Sequence, residues 1–152
     1  MGKYTAAIDE RLILPARVYL TQAQERGRHR SGGVVPAGVP VRLLIDTGSG
    51  RSTLVPWVIA HLDPRPGREV RVETSGSSTA TNLFSVRLEF PDATLEPFPH
   101  VAVARVPLPP LLQEFHGLVG RDLLFRWEWF LLEGRRRRWS LRDTRPWFPW
   151  LS

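Results

Sequence analysis

One apolar segment that runs straight into a set of small polar residues most constrains the fold of this 152-residue chain. Every second residue of 39–45 is Val, Leu or Ile, and this period of two predicts a strand with one buried face. Residues 46–50, Asp-Thr-Gly-Ser-Gly, follow at once and predict a tight turn, in which glycine allows close approach of the backbone. A carboxylate beside a buried strand is costly unless it is hydrogen-bonded or used in chemistry. Asp46 therefore either begins an ordinary Asx turn or belongs to a catalytic site.

The composition is that of a single globular domain. The chain is 42% hydrophobic and long enough for one core but not for two. It has no cysteine, which excludes disulfides, Cys-ligated zinc and thiol catalysis and fits a reducing compartment. Because no stretch is long and apolar enough to span a bilayer and the N-terminus has no signal-peptide pattern, we expect a cytoplasmic protein with no membrane partner. We expect one domain over residues 1–143 and an aromatic, proline-containing tail over 144–152.

The net charge of +6 comes almost entirely from arginine, since Lys3 is the only lysine among 21 basic residues. Such a bias is compatible with nucleic-acid binding through phosphate contacts. The arginines are scattered, however, except in 26–30 and 135–138, and both runs lie beside turn signals, so solvated loops explain them. We therefore do not expect a nucleic-acid partner, and a basic nucleic-acid-associated domain remains an alternative interpretation.

The segments around the central strand have simpler patterns. Residues 13–20 predict a first strand, which Pro15 restricts to a sheet edge or a bulge. Residues 22–38 are polar and rich in Gly and Arg, and we expect a long, mobile surface loop there. The further elements expected are a short helix over 54–62 with Pro56 in its first turn, a strand over 100–106, a helical turn over 123–126, and paired strands over 126–132 and 138–142.

Two groups of residues in these elements are interpreted as structural. His61 has no second histidine or acidic residue at ligand spacing, so we expect a surface histidine and no metal site. The residues expected to pack across the C-terminal strand pair are Trp127, Trp129 and Leu131 on one strand and Trp139 and Leu141 on the other. We interpret these tryptophans as core rather than as a binding platform.

Residues 69–90 have the clearest hairpin pattern of the chain. Apolar and polar residues alternate in 69–73 and again in 84–90, which predicts two paired strands. The connecting residues 74–81 are small and polar, with one glycine, and predict a flexible tip. Such a tip is either a disordered end of the hairpin or a lid that moves over a bound ligand.

Two motifs on either side of this hairpin resemble those of the retropepsin-like (retroviral-type, single-lobe) aspartic proteases. Residues 43–49, Leu-Leu-Ile-Asp-Thr-Gly-Ser, resemble the active-site loop of that family. Residues 118–124 resemble its second element, with Gly120, Arg121 and Asp122 at the centre. The resemblance covers about residues 39–141. It implies an all-β, single-lobe acid-protease fold that is closed and barrel-like, with a flap hairpin and one or two short helices.

The resemblance also implies an aspartic endopeptidase that cuts a peptide or protein substrate without a metal or cofactor. Two carboxylates that share one proton perform this chemistry, as in the dyad of aspartic proteases. Because the chain has one Asp-Thr-Gly motif, the resemblance implies a homodimer with Asp46 from each copy. The catalytic loop would be Asp46, Thr47, Gly48 and Ser49, and the flap residues that touch substrate would be Ser75, Gly76, Ser77 and Ser78.

Roles within the loop follow from the same resemblance. Thr47 would form a hydrogen bond across the two-fold axis, and Gly48 would allow the substrate backbone to lie close by. Ser49 could donate a hydrogen bond to the Asp46 carboxylate. Retroviral enzymes usually have an aspartate shortly after the motif that pairs with the arginine of the second element, and here that place is Gly50. Arg121 must therefore find another partner, which could be Asp122, a backbone carbonyl or the second copy.

A different functional class remains open beside catalysis. A protease-like dimer could hold peptides in its cleft without cutting them. The intact motif at Asp46 favours catalysis, because a pure binding module has no need of a pair of carboxylates.

Overall fold

The computed structural model describes residues 2–8, 11–74, 76–91 and 94–143. In this part of the chain the strands are β1 (Lys3–Ala7), β2 (Ile13–Tyr19), β3 (Val39–Ile45), β4 (Thr53–Leu54), β5 (Pro66–Thr74), β6 (Ser77–Glu89), β7 (Phe98–Arg105), β8 (Gly117–Val119), β9 (Trp129–Glu133) and β10 (Arg138–Arg142). The helices are α1 (Gln22–Arg30), α2 (Pro56–Leu62) and α3 (Arg121–Leu124), and a 3₁₀ turn lies at Pro110–Leu112. The aromatic tail predicted for 144–152 lies outside the described residues.

A seven-stranded sheet forms the body of the molecule, in the order β2-β3-β8-β4-β7-β6-β5. An additional pairing of β2 with β6 brings the sheet back onto itself and leaves β5 at an edge beside β6. Pro15 pairs with Arg42 of β3, and the pairing of β2 with β6 begins only at Arg17. The predicted edge position of this proline is therefore confirmed, since proline cannot donate a hydrogen bond to a second neighbour.

The parallel pairing of β3 with β8 is the feature that positions the site. Ile45 at the end of β3 lies beside Val119 at the end of β8. Parallel strands end at the same edge of a sheet, so the segments that follow them, 46–50 and 120–124, are neighbours. The alternation predicted for 39–45 is confirmed, because its apolar members are all buried; they are Val39, Val41, Leu43 and Ile45.

A second sheet of three antiparallel strands, in the order β1-β10-β9, joins the first strand to the last two and contributes Trp139 and Leu141 to the core. Trp139 on its central strand is fully buried, with ring centroids 5.2 Å from Tyr4 and 6.1 Å from Phe130. The expected packing of Trp129 and Leu131 against Trp139 and Leu141 is wrong. Trp129 lies opposite Arg142 and Leu131 lies opposite Ser140. Because residues opposite one another share a face of the sheet, Trp129 and Leu131 lie on the face away from Trp139 and Leu141. Trp127 precedes β9 and packs instead on Phe90 and Phe98.

The prediction of a loop over residues 22–38 is wrong for its first half, which forms helix α1. Thr21 caps this helix, because its hydroxyl oxygen accepts a hydrogen bond from the backbone N–H of Gln24 at 3.3 Å. Glu25 lies in the first turn and three basic residues lie in the last, which suits the helix dipole at both ends. Because the helix has no buried residue, its sequence has no apolar residues at helical spacing from which the helix could be predicted.

The hairpin of β5 and β6 is confirmed, but its turn is shorter than predicted. The pairing continues to Thr74 and Ser77, so the strands include most of the residues expected in a flexible tip. Threonine favours extended backbone, and the segment 77–81 joins the ladder. Gly76 has φ +86, a conformation that favours glycine and lets the chain reverse there. No helix in the described residues is long and apolar enough to cross a membrane.

Candidate active site

Asp46 lies directly after β3 and is held by its backbone and by one carboxylate oxygen. Its N–H donates to the carbonyl of Val119 at 2.9 Å, which fixes the turn to the end of β8. The Asp46 Oδ1 accepts the N–H of Gly48 at 3.0 Å, and the Asp46 carbonyl accepts the N–H of Ser49 at 3.2 Å. The Asx turn therefore exists, and it orients the carboxylate. Among the described residues Oδ2 has no hydrogen-bond partner, so this oxygen is available to a ligand.

Thr47 and Gly48 form the exposed crest of this turn. The Thr47 carbonyl accepts the Arg121 guanidinium at 2.8 Å, and the Arg121 backbone N–H donates to the Ser49 carbonyl at 2.8 Å. Of the partners considered for Arg121, the structure thus selects a backbone carbonyl. Because Gly50 offers no carboxylate, the arginine braces the loop through its main chain instead of through an ion pair.

Ser49 does not donate to the Asp46 carboxylate, so that expectation is wrong for this chain. Its hydroxyl donates to the carbonyl of Arg51 at 2.8 Å, which closes a local turn just after the motif. Ser and Thr hydroxyls commonly satisfy a nearby backbone group in this way. Ser49 therefore stabilises the shape of the loop rather than the charge of the carboxylate.

Ser52 joins the two motifs, a role that no pattern in the sequence predicts. It is buried, and its hydroxyl donates to Asp122 Oδ1 at 2.8 Å while accepting the Gly120 N–H at 3.0 Å. Its own N–H lies 3.0 Å from both carboxylate oxygens of Asp122. Asp122 is thus fully engaged in holding the chain between the motifs. A Cβ at Gly120 would come within 2.7–2.8 Å of the Arg51 backbone, so only glycine fits there.

His116 supports the strand that carries Asp46, and sequence reasoning also missed it. The His116 ring Nδ1 accepts a hydrogen bond from the backbone N–H of Arg42 at 2.8 Å, and the backbone N–H of His116 donates to the Arg42 carbonyl at 3.0 Å. The imidazole thereby takes the place of a backbone carbonyl and extends the ladder between β3 and β8. Burial, and then the positive charge of Arg42, lower the pKa of His116, so the neutral ring that accepts this hydrogen bond is favoured.

A cleft of about 510 Å³ opens beside Asp46. The motif contributes Asp46, Gly48 and Ser49 to its lining, and β5 contributes Val72 and Glu73. Most of the remaining lining is apolar and comes from residues 106–109 and from Leu44, Leu112 and Leu118. The structure therefore brings the first motif and one arm of the hairpin to the same cleft.

The predicted flap residues are only partly placed. Gly76, Ser77 and Ser78 are exposed near the hairpin turn and do not line this cleft, whereas Ser75 lies outside the described residues. Val72 and Glu73, further down β5, are the described hairpin residues that line the cleft, and no motif in the sequence marks them as site residues. Their alternation in β5 was visible, but which part of the hairpin meets the cleft depends on the fold.

No group of three or more His, Asp or Glu residues that could hold a metal ion occurs in the described ranges. His61 is exposed, with its Nε2 3.2 Å from the carbonyl oxygen of Ala37, as expected of a surface histidine.

Comparisons with known proteins agree with this arrangement. A family model described as aspartyl protease matches residues 33–123, a range that includes Asp46, the hairpin and Asp122. The crystal structure of a retropepsin-like aspartic protease from Rickettsia conorii is similar with a TM-score of 0.60, over 93% of this chain and 91% of that chain, at 12% sequence identity. The comparison with curated proteins finds no match. The structural likeness confirms the predicted all-β, retropepsin-like fold.

Proposed function

The chain belongs to the aspartyl protease family, and we propose that it is an endopeptidase in which Asp46 from two copies forms the catalytic dyad. The observation that carries the proposal is the Asp46 carboxylate, which lines a largely apolar cleft and is held there through one of its oxygens. Such a group, oriented yet open to a ligand, suits a residue that must exchange protons with water and substrate.

The reaction needs a second carboxylate, because one group must take a proton from water while another gives a proton to the substrate. Other aspartates of the described ranges are engaged elsewhere: Asp122 binds Ser52, and Asp143 accepts the N–H of Glu96 at 2.8 Å. Asp63 is exposed at the end of α2. A second copy of Asp46 is therefore the natural partner.

A symmetric dimer is compatible with the shape of the loop. Thr47 and Gly48 are exposed next to Asp46, so a second copy could meet them across a two-fold axis. Thr47 would then bond across the axis, and Gly48 would lie beside the substrate backbone. The hairpin of β5 and β6 would act as a flap that closes on the bound peptide.

The direct test is incubation of the purified protein with a diverse mixture of peptides, with and without a statine-type inhibitor of aspartic proteases. We expect cleavage within peptides and its loss when the inhibitor is present. Peptides that bind but stay intact would reject the endopeptidase and support the peptide-binding alternative. Cleavage that resists the inhibitor would reject the aspartic mechanism.

A further inference from the structure

Among the described residues that line the cleft beside Asp46, Glu73 is the one other ionisable side chain. This residue lies on β5, next to Val72, which packs with Val70 on the buried cluster of Leu83, Ala104 and Val106. The apolar contact of its neighbour fixes the strand against the body of the sheet. Glu73 is therefore presented to the cleft from a supported part of the hairpin rather than from its tip.

Glu73 has no ion-pair partner among the described residues, although the chain has 21 basic residues and a net charge of +6. Several other glutamates are paired, among them Glu25 with Arg87, Glu114 with Arg11 and Glu133 with Arg138. Glu69 and Glu96 are exposed and also form no ion pair in the described ranges, but neither lines the cleft. Arg71, two residues from Glu73 on the same strand, donates to the hydroxyl of Ser78 at 3.3 Å. The carboxylate of Glu73 thus remains available to a cation that enters the cleft.

We propose that Glu73 makes this cleft selective for peptides that carry a lysine or arginine close to an apolar residue. This inference rests on the proposed function. The apolar side chain of the substrate would contact the walls formed by residues 106–109 and Leu118, and the basic side chain would reach Glu73 at the hairpin side. An acidic side chain at the same position would be repelled, because like charges at short range are unfavourable.

The size of the effect follows from the exposure of Glu73. An exposed pair of opposite charges contributes up to about 1 kcal/mol, which corresponds to about a fivefold difference in kcat/KM. Because salt screens such a pair, the preference should shrink as the ionic strength rises.

The test uses three peptides with one shared apolar core, in which a single position near the cleaved bond is lysine, glutamine or glutamate. This position is moved along the peptide in successive sets. For the wild-type protein we expect kcat/KM to fall from lysine to glutamine to glutamate, by about fivefold at each step at the responsive position. Glu73→Gln should remove the differences, and Glu73→Lys should reverse their order.

Glu69→Gln is the matched control, because Glu69 lies on the same strand, is exposed, and does not line the cleft. It removes the same charge from the chain and should leave the order of the three peptides unchanged. A similar loss of preference in both variants would mean that net charge, not Glu73, selects the substrate, and would overturn the inference.

The remaining outcomes separate this inference from the proposed function. If the wild-type protein cleaves peptides without regard to charge, or if Glu73→Gln keeps the preference, Glu73 is not a specificity residue and the protease function stands. If Glu73→Gln loses cleavage of all three peptides, the inference is overturned because Glu73 would act in the chemistry itself. If the wild-type protein cleaves no peptide, the proposed function fails and the inference fails with it.

Discussion

At the scale of single residues, the loop of residues 46–50 is held by short polar contacts that leave one carboxylate oxygen of Asp46 without a hydrogen-bond partner in the described ranges. The N–H groups of Gly48 and Ser49 fix the turn around it, and Arg121 braces the crest through the carbonyl of Thr47. The contacts of Ser49 and Arg121 use backbone carbonyls as acceptors, so they persist when the Asp46 side chain changes charge. The carboxylate can therefore be altered without dismantling the site.

Replacing Asp46 by asparagine should lower peptide cleavage by at least about a hundredfold and leave folding intact. The amide keeps an oxygen that can accept the Gly48 N–H, but it cannot take a proton from water. Rates on a cleaved peptide and thermal unfolding measure the two effects. Asp63→Asn is the control, because it removes an exposed carboxylate at a left-handed position that asparagine tolerates. Undiminished cleavage by the Asp46 variant would refute its catalytic role.

Replacing Gly120 by alanine should destabilise the fold by about 1–3 kcal/mol, because the added methyl would overlap the Arg51 backbone. The backbone there is tied to Ser52 and Asp122 and has little room to yield. Gly27→Ala is the matched control, since nothing lies within 4 Å of its new methyl, and in helix α1 it should stabilise by about 0.5–1 kcal/mol. Denaturant unfolding measures both changes, and equal stability of the two variants would contradict the steric argument.

At the scale of elements, the pair of β3 and β8 depends on a titratable side chain. His116 accepts the N–H of Arg42 only while its Nδ1 is unprotonated. The charged group that acts on it is Arg42, whose guanidinium lies 3.8 Å from Glu114. Arg11 binds the same glutamate at 2.8 Å. Protonation of His116 would place a second positive charge beside Arg42 and leave the Arg42 N–H without its acceptor.

This arrangement predicts a loss of stability on acidification. Because burial and Arg42 lower the pKa of His116, the unfolded chain binds its proton more tightly than the folded chain. The contribution of His116 is therefore complete above the ordinary histidine pKa of about 6.5 and is lost as the pH falls through the folded-state pKa. In His116→Asn the side-chain oxygen can still accept the N–H but does not titrate. The free energy of unfolding of this variant should fall less than that of the wild type between about pH 7 and about pH 5.

His61→Asn is the control for this measurement, because His61 is exposed and its Nε2 contacts only the Ala37 carbonyl in the described ranges. It should keep the pH dependence of the wild type. If His116→Asn keeps that dependence as well, the hydrogen bond to Arg42 has no part in the response to pH.

At the scale of the whole molecule, activity should require two chains and one proton shared between their carboxylates. The rate should then fall when both carboxylates are neutral and again when both are charged, which gives a bell-shaped profile on the acidic side. Dimerisation adds a second dependence, because two charged Asp46 loops repel one another and loosen the interface at higher pH.

Rates measured against pH at several protein concentrations separate these two effects. An alkaline limb that does not move with concentration reports the dyad, and one that moves reports the dimer. Sedimentation at the same concentrations should show a dimer wherever activity is found. An active monomer would refute the shared dyad, and a flat profile through neutrality would leave no role for a shared proton.

The sequence determined the features that local chemistry controls. The period of two in 39–45, the glycines and hydroxyls after Asp46, Pro56 at the start of α2 and the alternation in β5 and β6 each act through neighbouring residues, and the structure has each of them. Helix α1 was not predicted from the sequence, because its cap and end charges stabilise it without a buried apolar face.

Only the tertiary structure decided how distant segments meet. Arg121 reaches the Thr47 carbonyl 74 residues away, Ser52 reaches Asp122 70 residues away, and neither partner follows from spacing along the chain. The face taken by Trp129 depends on the register between β9 and β10, and a shift of one residue would reverse it. Glu73 enters the cleft for the same reason, because the pairing of β5 with β6, and not any local pattern, sets which part of the hairpin lies beside Asp46.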